Sequence, residues 1–395
     1  MNWLDEVVNS TVEAESPERF QYWAALSAIS AVVKKNLYLD RYYYRLYPNT
    51  YVFLVGRSGL RKGNPVTFSK KLVQEVANTR VILGRNSIQA VLKELGKAHS
   101  VEGGEPVKDA IGYMVSGELA SFLVKDPEAL TILTDLYDTH ANEPEWRNTL
   151  KTSGIDVLKN PCLTLLGATN ETHFKDAVPA NAVGGGFIAR TLIVFEQQRR
   201  VVNDLLDPPK VIPDIKGLAA YLKEVAKLRG EFIVTAEGRA VYRPWYQKIS
   251  NTNGKDPTGT LERIGDTTLK TAMLLSLADG LSKEITDRHM EEAIFRTEEC
   301  YMGMQQVTMG AGSSDDAQAT ALVLQELLRC SNYMSTRKKM LSKFWGDIDY
   351  IKLDRIIETM MRAGVVTVQN AGKDVIYTMK QKAAEAYRKF KVEIN

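Results

Sequence analysis

Thr50-Tyr-Val-Phe-Leu-Val55 is a strand-like hydrophobic run, an unbroken series of β-branched, aromatic and aliphatic residues that stops at Gly56. Continuous rather than alternating apolarity is how a strand buried on both faces reads. Four more short runs have the same character: Arg80–Leu83, Ile111–Val115, Leu163–Thr169 and Leu192–Phe195. Between them, helical patterns lie over Pro65–Ala77, Ser87–Ala98 and Pro127–Tyr137. Strands alternating with helices predict a parallel sheet covered on both faces. The expected fold class is therefore α/β, with a five-stranded parallel core.

Upstream, residues 17–35 open with Pro17 at a first-turn position and keep helical spacing, which predicts a buried helix. The aromatic-rich stretch Leu37–Tyr47 leads from it into the first strand. Past Pro208, Pro209 and Pro213 the strand pattern largely stops, and helices are predicted over Gly217–Leu228, Ala236–Ile249, Gly259–Ala278 and Asp287–Met304. Gly310–Asp316 is small and polar throughout, a linker signal. Beyond it come a helix over Ala319–Arg329, a second from Ser335 to Trp345, and a third over Asp349–Ala363 with Ile351, Ile356 and Met360 inward. A strand, turn and strand follow over Gly364–Thr378. That order is a winged helix, a helix-turn-helix variant. The expected organisation is a helical segment at 1–48, a core at 49–205, a helical lid or bundle at 206–309, a linker at 310–316 and a winged-helix domain at 317–395.

Composition narrows the class. A length of 395 residues exceeds what one hydrophobic core serves. The 44% apolar and 25% charged fractions are ordinary for a soluble protein, and no apolar run reaches the ~18 residues of a membrane span. The start Met1-Asn-Trp-Leu-Asp-Glu6 lacks a basic, apolar secretory pattern, so an intracellular, cytoplasmic protein is expected. Cys162, Cys300 and Cys330 and the four histidines are scattered, without disulfide or zinc spacing. Any metal is expected to arrive with a nucleotide. The formal charge is +3, but residues 315–395 carry 14 Lys+Arg against 10 Asp+Glu, a net of +4. That bias is compatible with nucleic acid or with solvated helix faces.

Candidate chemistry begins where the first strand ends. In Gly56-Arg-Ser-Gly-Leu-Arg-Lys62-Gly-Asn64, small residues between a buried strand and a helix let backbone N–H groups approach phosphate oxygens. Gly56, Ser58, Gly59, Arg61, Lys62, Gly63 and Asn64 are the candidate nucleotide-binding residues. Lys62 stands where the P-loop pattern puts the lysine that reaches the β- and γ-phosphates. Two departures matter: Arg61 replaces the second glycine, and Gly63 replaces the hydroxyl residue that ligates magnesium. A plain basic, glycine-rich turn is the competing interpretation.

Other candidates follow in order. Ile111–Leu119 reads as an apolar strand delivering Glu118, a possible general base for water, with Gly117 where a magnesium-binding Asp is usual. Asp109, Ser116 and Asp135 are substitutes, and Glu118 is alternatively an ordinary helix-start acid. Asn170, after the fourth strand, suits a γ-phosphate sensor or a helix N-cap. Gly184-Gly-Gly-Phe-Ile-Ala-Arg190 precedes the fifth strand and matches an arginine finger acting on a neighbouring subunit; pairing of Arg190 within its own subunit is the alternative. Arg263 and Lys270 are candidates for a second sensor.

Taken together, Tyr22–Ser27, Leu46–Tyr51, the Gly56–Lys62 loop, Ser116–Leu119, Leu133–Tyr137, Asn160–Thr169 and Gly184–Arg190 resemble a known family, the P-loop ATPases of phages and mobile elements that are encoded with, or fused to, a DNA primase. The resemblance covers about residues 15 to 290. It implies an AAA+ type ring helicase, related in plan to the minichromosome-maintenance proteins and viral superfamily 3 helicases. It further implies ATP and Mg2+ as cofactors, a homo-oligomer of hexameric kind, single-stranded or forked DNA as partner, and a primase or other replication protein nearby. A helicase loader with little hydrolysis, or a defence-associated NTP-sensing ATPase, is compatible with the same core.

That superclass carries a pore-lining β-hairpin before the sensor strand. Glu145–Lys159 has two extended arms about a Ser-Gly turn, with Lys151 near the tip and Arg147 and Lys159 on the arms as candidate DNA contacts. In the C-terminal domain, Arg337, Lys338 and Lys339 form the densest basic cluster, Lys352 and Arg355 lie on the third helix, and Lys373 sits at the wing tip. Asp347, Asp349, Asp354 and Glu358 among them leave a protein-docking role open.

Overall fold

A computed structural model of the chain describes residues 2–384 apart from 84–86, 98–99, 103–104, 108, 126–127, 139–144, 151–153, 179–185, 205, 252–255, 257, 309–314 and 373. The chain divides into two compact units, residues 1–311 and 312–395.

In the first unit the helices are α1 (Trp3–Ser10), α2 (Glu18–Val33), α3 (Gly63–Gln74), α4 (Ile88–Leu95), α5 (Leu119–Lys125), α6 (Ala129–Tyr137), α7 (Glu171–Ala177), α8 (Ile215–Val225), α9 (Ala236–Ser250), α10 (Thr260–Ala278) and α11 (Asp287–Thr308). The main sheet has five parallel strands: β1 (Tyr51–Gly56), β2 (Val81–Leu83), β3 (Asp109–Ser116), β4 (Gly154–Thr169) and β5 (Thr191–Glu196). Their order across the sheet is β5-β1-β4-β3-β2. The unbroken apolarity of β1 has its reason here: all six of its residues are buried, with Val52 and Leu54 in the core on one face and Tyr51, Phe53 and Val55 in the core on the other.

The two faces are covered by different parts of the chain. α3, which leaves β1, packs with α2, α8 and α10 on one face. α4, α5, α6 and α7, which follow β2, β3 and β4, cover the other. This is what right-handed crossovers require: the connection from β1 runs outward to the far edge, and the later ones run back. α11 lies along edge strand β5, and at Gly303 it comes so close that an added Cβ would stand 2.8 Å from the carbonyl oxygen of Ile193. A covered edge cannot pair with another chain.

Two expectations are corrected. Residues 1–48 and 206–309 are not separate modules, because α1, α2, α8, α10 and part of α11 share one apolar core with β1, β4 and β5. α2 is buried on every side from Phe20 to Val33, in keeping with the buried helix its spacing predicts. The fourth strand is also longer than its apolar run. β4 runs sixteen residues, and its first part pairs antiparallel with Glu145–Leu150, from Leu150↔Gly154 to Glu145↔Lys159. The expected hairpin is thus a direct extension of a central strand, projecting from the N-terminal edge of the sheet. Asn160, at φ +45°, marks the shift of register between hairpin and sheet.

The second unit holds α12 (Asp315–Arg329), α13 (Arg337–Lys343) and α14 (Tyr350–Arg362) around its own core. Its sheet is antiparallel, with Asp374–Met379 between Met334–Thr336 and Val366–Ala371. Ile351 is 59% exposed, not inward, because Leu353, Ile356, Ile357 and Met360 set the buried stripe and Ile351 falls on the other side of the helix.

Candidate functional site

In an open α/β sheet, ligands bind outside the carboxyl ends of the strands, where neighbouring connections leave toward opposite faces. Here that point lies between β1 and β4. The register aligns Val55 with Thr169 and Gly167 with Ser116, so Gly56, Asn170 and Gly117-Glu118 emerge side by side from β1, β4 and β3. Adjacent strands are ~4.8 Å apart, which puts the β1 and β3 ends ~10 Å from each other.

The loop from Gly56 to Lys62 is solvent-facing but anchored by Leu60, which is 1% exposed. Gly56 has no room for a side chain: a Cβ would collide with the carbonyl oxygen of Glu196 on β5 and with Leu60. Gly59 and Arg61 both hold positive φ, +86° and +54°. α3 then begins at Gly63 with no side-chain cap and no acidic residue in its first turn. Uncapped N–H groups and the helix dipole together favour an anion at this spot. Ser58, Gly63 and Asn64 are exposed around it. Lys62 curls back so that its ammonium donates to the carbonyls of Gly56 and Arg57, both at 2.8 Å. Burial pulls its pKa below the ordinary lysine value, while the charge of Glu118 pushes it up. The lysine and the carboxylate therefore share one electrostatic site.

Three residues that the sequence did not single out support this loop. Glu15, 5% exposed, accepts from Arg61 Nε at 2.7 Å and from Arg199 Nη1 at 2.5 Å. The bond from Arg61 holds its carboxyl below the usual glutamate range. Arg199 follows β5, and one of its nitrogens lies 3.6 Å from where a Cβ on Gly59 would be. Gly167 of β4 is the third: a Cβ there would run into Leu119, the residue after Glu118. That close approach fixes where α5 starts and so where Glu118 stands. The basic pair after the fifth strand was a visible signal; Glu15 had none, since its partners are 46 and 184 residues away.

Asn170 does cap α7, its Oδ1 accepting from His173 N at 2.7 Å. Ser116 Oγ accepts from Glu118 N at 3.3 Å. Asp109 is removed from the site, because it opens β3 at the opposite end of that strand and accepts from Asn160. Asp135 is likewise remote: α6 runs to Tyr137, whose carbonyl accepts from Asn49, the second residue before β1. An added Cβ on Gly63 or Gly117 would meet nothing within 4 Å. The loop fits phosphate; for magnesium, no group of three or more His, Cys, Asp or Glu gathers among the described residues.

Arg190, Arg263 and Lys270 gather at the other end of the sheet, lining a cavity of about 360 Å³ with Asn49, Tyr137 and Asp138. Arg190 is no projecting finger here. It is 8% exposed, pairs with Asp138 and donates Nη1 to Gly186 O at 2.8 Å. The in-subunit carboxylate pairing is the arrangement adopted, because a guanidinium beside buried apolar residues needs a partner. Arg263, 42% exposed, lies 3.5 Å from the same Asp138. Lys270 is buried, donates to Asn49 O and Oδ1 at 3.1 and 2.9 Å, and sits 3.7 Å from the Tyr137 ring centre. It is a core lysine rather than a sensor at the loop.

Of the proposed DNA contacts, Lys151 and Lys373 lie outside the described residues. Arg147 is exposed and bonds Glu145 at 2.8 Å; Lys159, opposite Glu145, is exposed. In the second unit the basic cluster is partly neutralised: Arg337 pairs with Asp354, and Lys339 lies 3.4 Å from Glu326. Lys338 is exposed, Lys352 Nζ donates to Asp347 O, and Arg355 is exposed on α14. No helix among the described residues is long and apolar enough to cross a membrane. No protein-family model matches the chain, and no curated protein matches it.

Proposed function

We propose that the first unit is an AAA+ type P-loop NTPase core and the second a winged helix, and that the protein is a ring-forming, ATP-dependent DNA translocase or helicase serving replication of a phage or mobile element. The observation that carries this reading is the convergence of the Gly56–Lys62 loop, Asn170 and Glu118 at the carboxyl ends of three adjacent strands. Lys62 leaves the Gly56 and Arg57 carbonyls to pair with the β- and γ-phosphates, and the α3 N-terminus receives them. Glu118 orients and deprotonates the attacking water, and Asn170 contacts the γ-phosphate from β4. Magnesium brought with ATP neutralises phosphate charge when bound. In a ring, Arg263 is the most exposed of Arg190, Arg263 and Lys270 and so the one of the three that reaches a neighbour, and Arg190 holds Asp138 behind it. The hairpin at Glu145–Lys159 and the basic residues of the second unit supply DNA contacts.

A second reading, a nucleotide-gated helicase loader that hydrolyses ATP slowly, is favoured by Gly63 and Gly117, which leave magnesium without its usual side chains. ATP turnover measured with and without single-stranded DNA, beside negative-stain imaging with nucleotide, separates the two. DNA-stimulated turnover by rings, lost in Glu118→Gln while nucleotide binding persists, supports the motor. Rings without turnover support the loader. Particles that stay monomeric and ignore DNA exclude both.

A further inference from the structure

The aromatic stretch before β1 forms a hairpin of its own. Leu37–Asp40 and Arg45–Leu46 pair antiparallel, and Arg41 to Tyr44 make the turn. The turn is tightly specified: Arg41 N donates to Tyr44 O at 2.9 Å, and Tyr42 N donates to Asp40 Oδ1 at 2.8 Å. Its base is fixed in the core through Leu37, Leu39 and Leu46, and Leu37-Tyr38 pair in parallel with Gly230-Glu231. Tyr44 is tied down as well, its hydroxyl donating to Asp266 at 2.9 Å. Yet Tyr42 and Tyr43 are each 97% exposed. A well-ordered turn that holds two whole phenol rings in water presents aromatic surface that contributes nothing to the core.

What faces these rings gives the surface its chemistry. A groove of about 690 Å³ is lined on one side by Arg41, Tyr42 and Tyr43 and on the other by Arg239 and Arg243 of α9. Those two arginines are exposed, four residues apart on one helix face, and have no ion pair among the described residues. Like charges at that spacing repel by a few tenths of a kcal/mol, which an anion would relieve. The acids lining the groove are Asp40, which accepts from the turn, and the exposed Glu231, while Asp266 beside them accepts from Tyr44 and offsets part of the Arg41 charge. Among the lining residues the exposed aliphatic is Ile233, too little for an apolar protein helix.

We propose that Tyr42 and Tyr43, with Arg239 and Arg243, form a binding surface for single-stranded DNA, bases stacking on the tyrosines and phosphates meeting the guanidinium groups. Aromatic platforms beside unpaired cations are how single strands are held without sequence preference. This surface is built from first-unit residues other than those of the Glu145–Lys159 hairpin. It rests on the reading that the protein works on DNA, and it names where the strand lies.

The test is fluorescence anisotropy of a labelled oligodeoxythymidylate with the full chain, with binding of a labelled ATP analogue as the check on folding. The double variant Tyr42→Ala/Tyr43→Ala should weaken oligonucleotide binding by on the order of tenfold or more, and Tyr42→Phe/Tyr43→Phe should keep it. Arg239→Ala/Arg243→Ala should reduce the slope of log affinity against log salt by about 1.4, two phosphate contacts' worth on a single strand. If wild type binds the oligonucleotide and the alanine pair binds it equally well, the surface is overturned and the motor reading stands. If the alanine pair changes particle mass but not DNA affinity, the tyrosines join copies of the chain, and the proposal fails. Absence of any single-strand binding overturns it too, whereas variants that behave as expected in a protein without turnover leave the surface standing and remove the motor.

Discussion

In the proposed nucleotide site Gly63 and Gly117 stand where side chains of a P-loop enzyme would hold magnesium, and a Cβ at either would meet nothing within 4 Å. Neither has the positive φ that would tie the position to glycine. Gly63→Thr and Gly117→Asp should therefore fold normally, within about 0.5 kcal/mol of the parent. If the site binds Mg-nucleotide, the pair should tighten magnesium dependence roughly tenfold, the effect of about 1.4 kcal/mol, as read from turnover or analogue binding titrated with Mg2+. An unchanged titration would argue that the metal sits elsewhere. Lys270 makes a second residue-level prediction. Burial lowers its pKa to about 8, against opposing attraction from Asp138 and Asp266. Between pH ~8 and ~10 the unfolded chain then holds a proton that the folded chain has lost, so this group adds stability as pH rises, by up to ~1.4 kcal/mol per unit. Buried Cys162, whose thiol is pushed up to about 11, acts in the opposite direction. Urea unfolding of wild type and Lys270→Met at pH 7.5 and 9.5 isolates the lysine: the difference in stability between them should shift toward wild type at the higher pH. The position of Lys62 on a loop between β1 and α3 was legible from a short local pattern; the contacts of Lys270 and Glu15 were not, because they depend on residues brought near only by the fold.

At the scale of elements, legibility followed local pattern. The five strands and most helices were readable because their apolar residues repeat at fixed spacing over a few residues. The strand Met334–Thr336 was missed, because its three residues read as a helix start, and Thr336 is in fact both strand end and N-cap of α13. The continuity of the hairpin arm with β4 was hidden by Asn160-Pro161, which reads as a break although the ladder resumes at Cys162. The approach of α5 to β4 was also invisible, since a glycine inside an apolar run carries no label for what will pack on it. That approach is testable. Gly167→Ala places a methyl against Leu119 and should cost about 1–3 kcal/mol, while also displacing Glu118. Adding Leu119→Ala should recover part of the folding free energy, so that the double-variant cycle shows a coupling above ~0.5 kcal/mol. Additive losses would mean that Gly167 does not set the start of α5.

For the whole molecule, the division at residue 311 separates two sets of cores. Unit one has an apolar layer on each face of its sheet, and unit two closes its own core from Ala319 to Ala384. The N-terminal segment and the helical bundle after residue 206 are set apart in the sequence by a change of pattern, the latter by Pro208, Pro209 and Pro213, yet both supply helices that cover one face of the sheet. Sequence composition marks where a chain bends, but burial decides what belongs together. A fragment of residues 1–311 should therefore fold and retain the Gly56–Lys62 loop with its partners Glu15 and Arg199 intact. Residues 312–395 should give a separate cooperative transition. Calorimetry of the full chain and of both fragments checks this: the fragment melts should reproduce the two components of the intact profile. Failure of 1–311 to fold would show that its stability depends on the second unit. If the fragment folds and binds nucleotide but loses DNA affinity, the second unit carries most of the grip. If it keeps that affinity, the contacts lie in the first unit, where Tyr42, Tyr43, Arg239 and Arg243 become the residues to change.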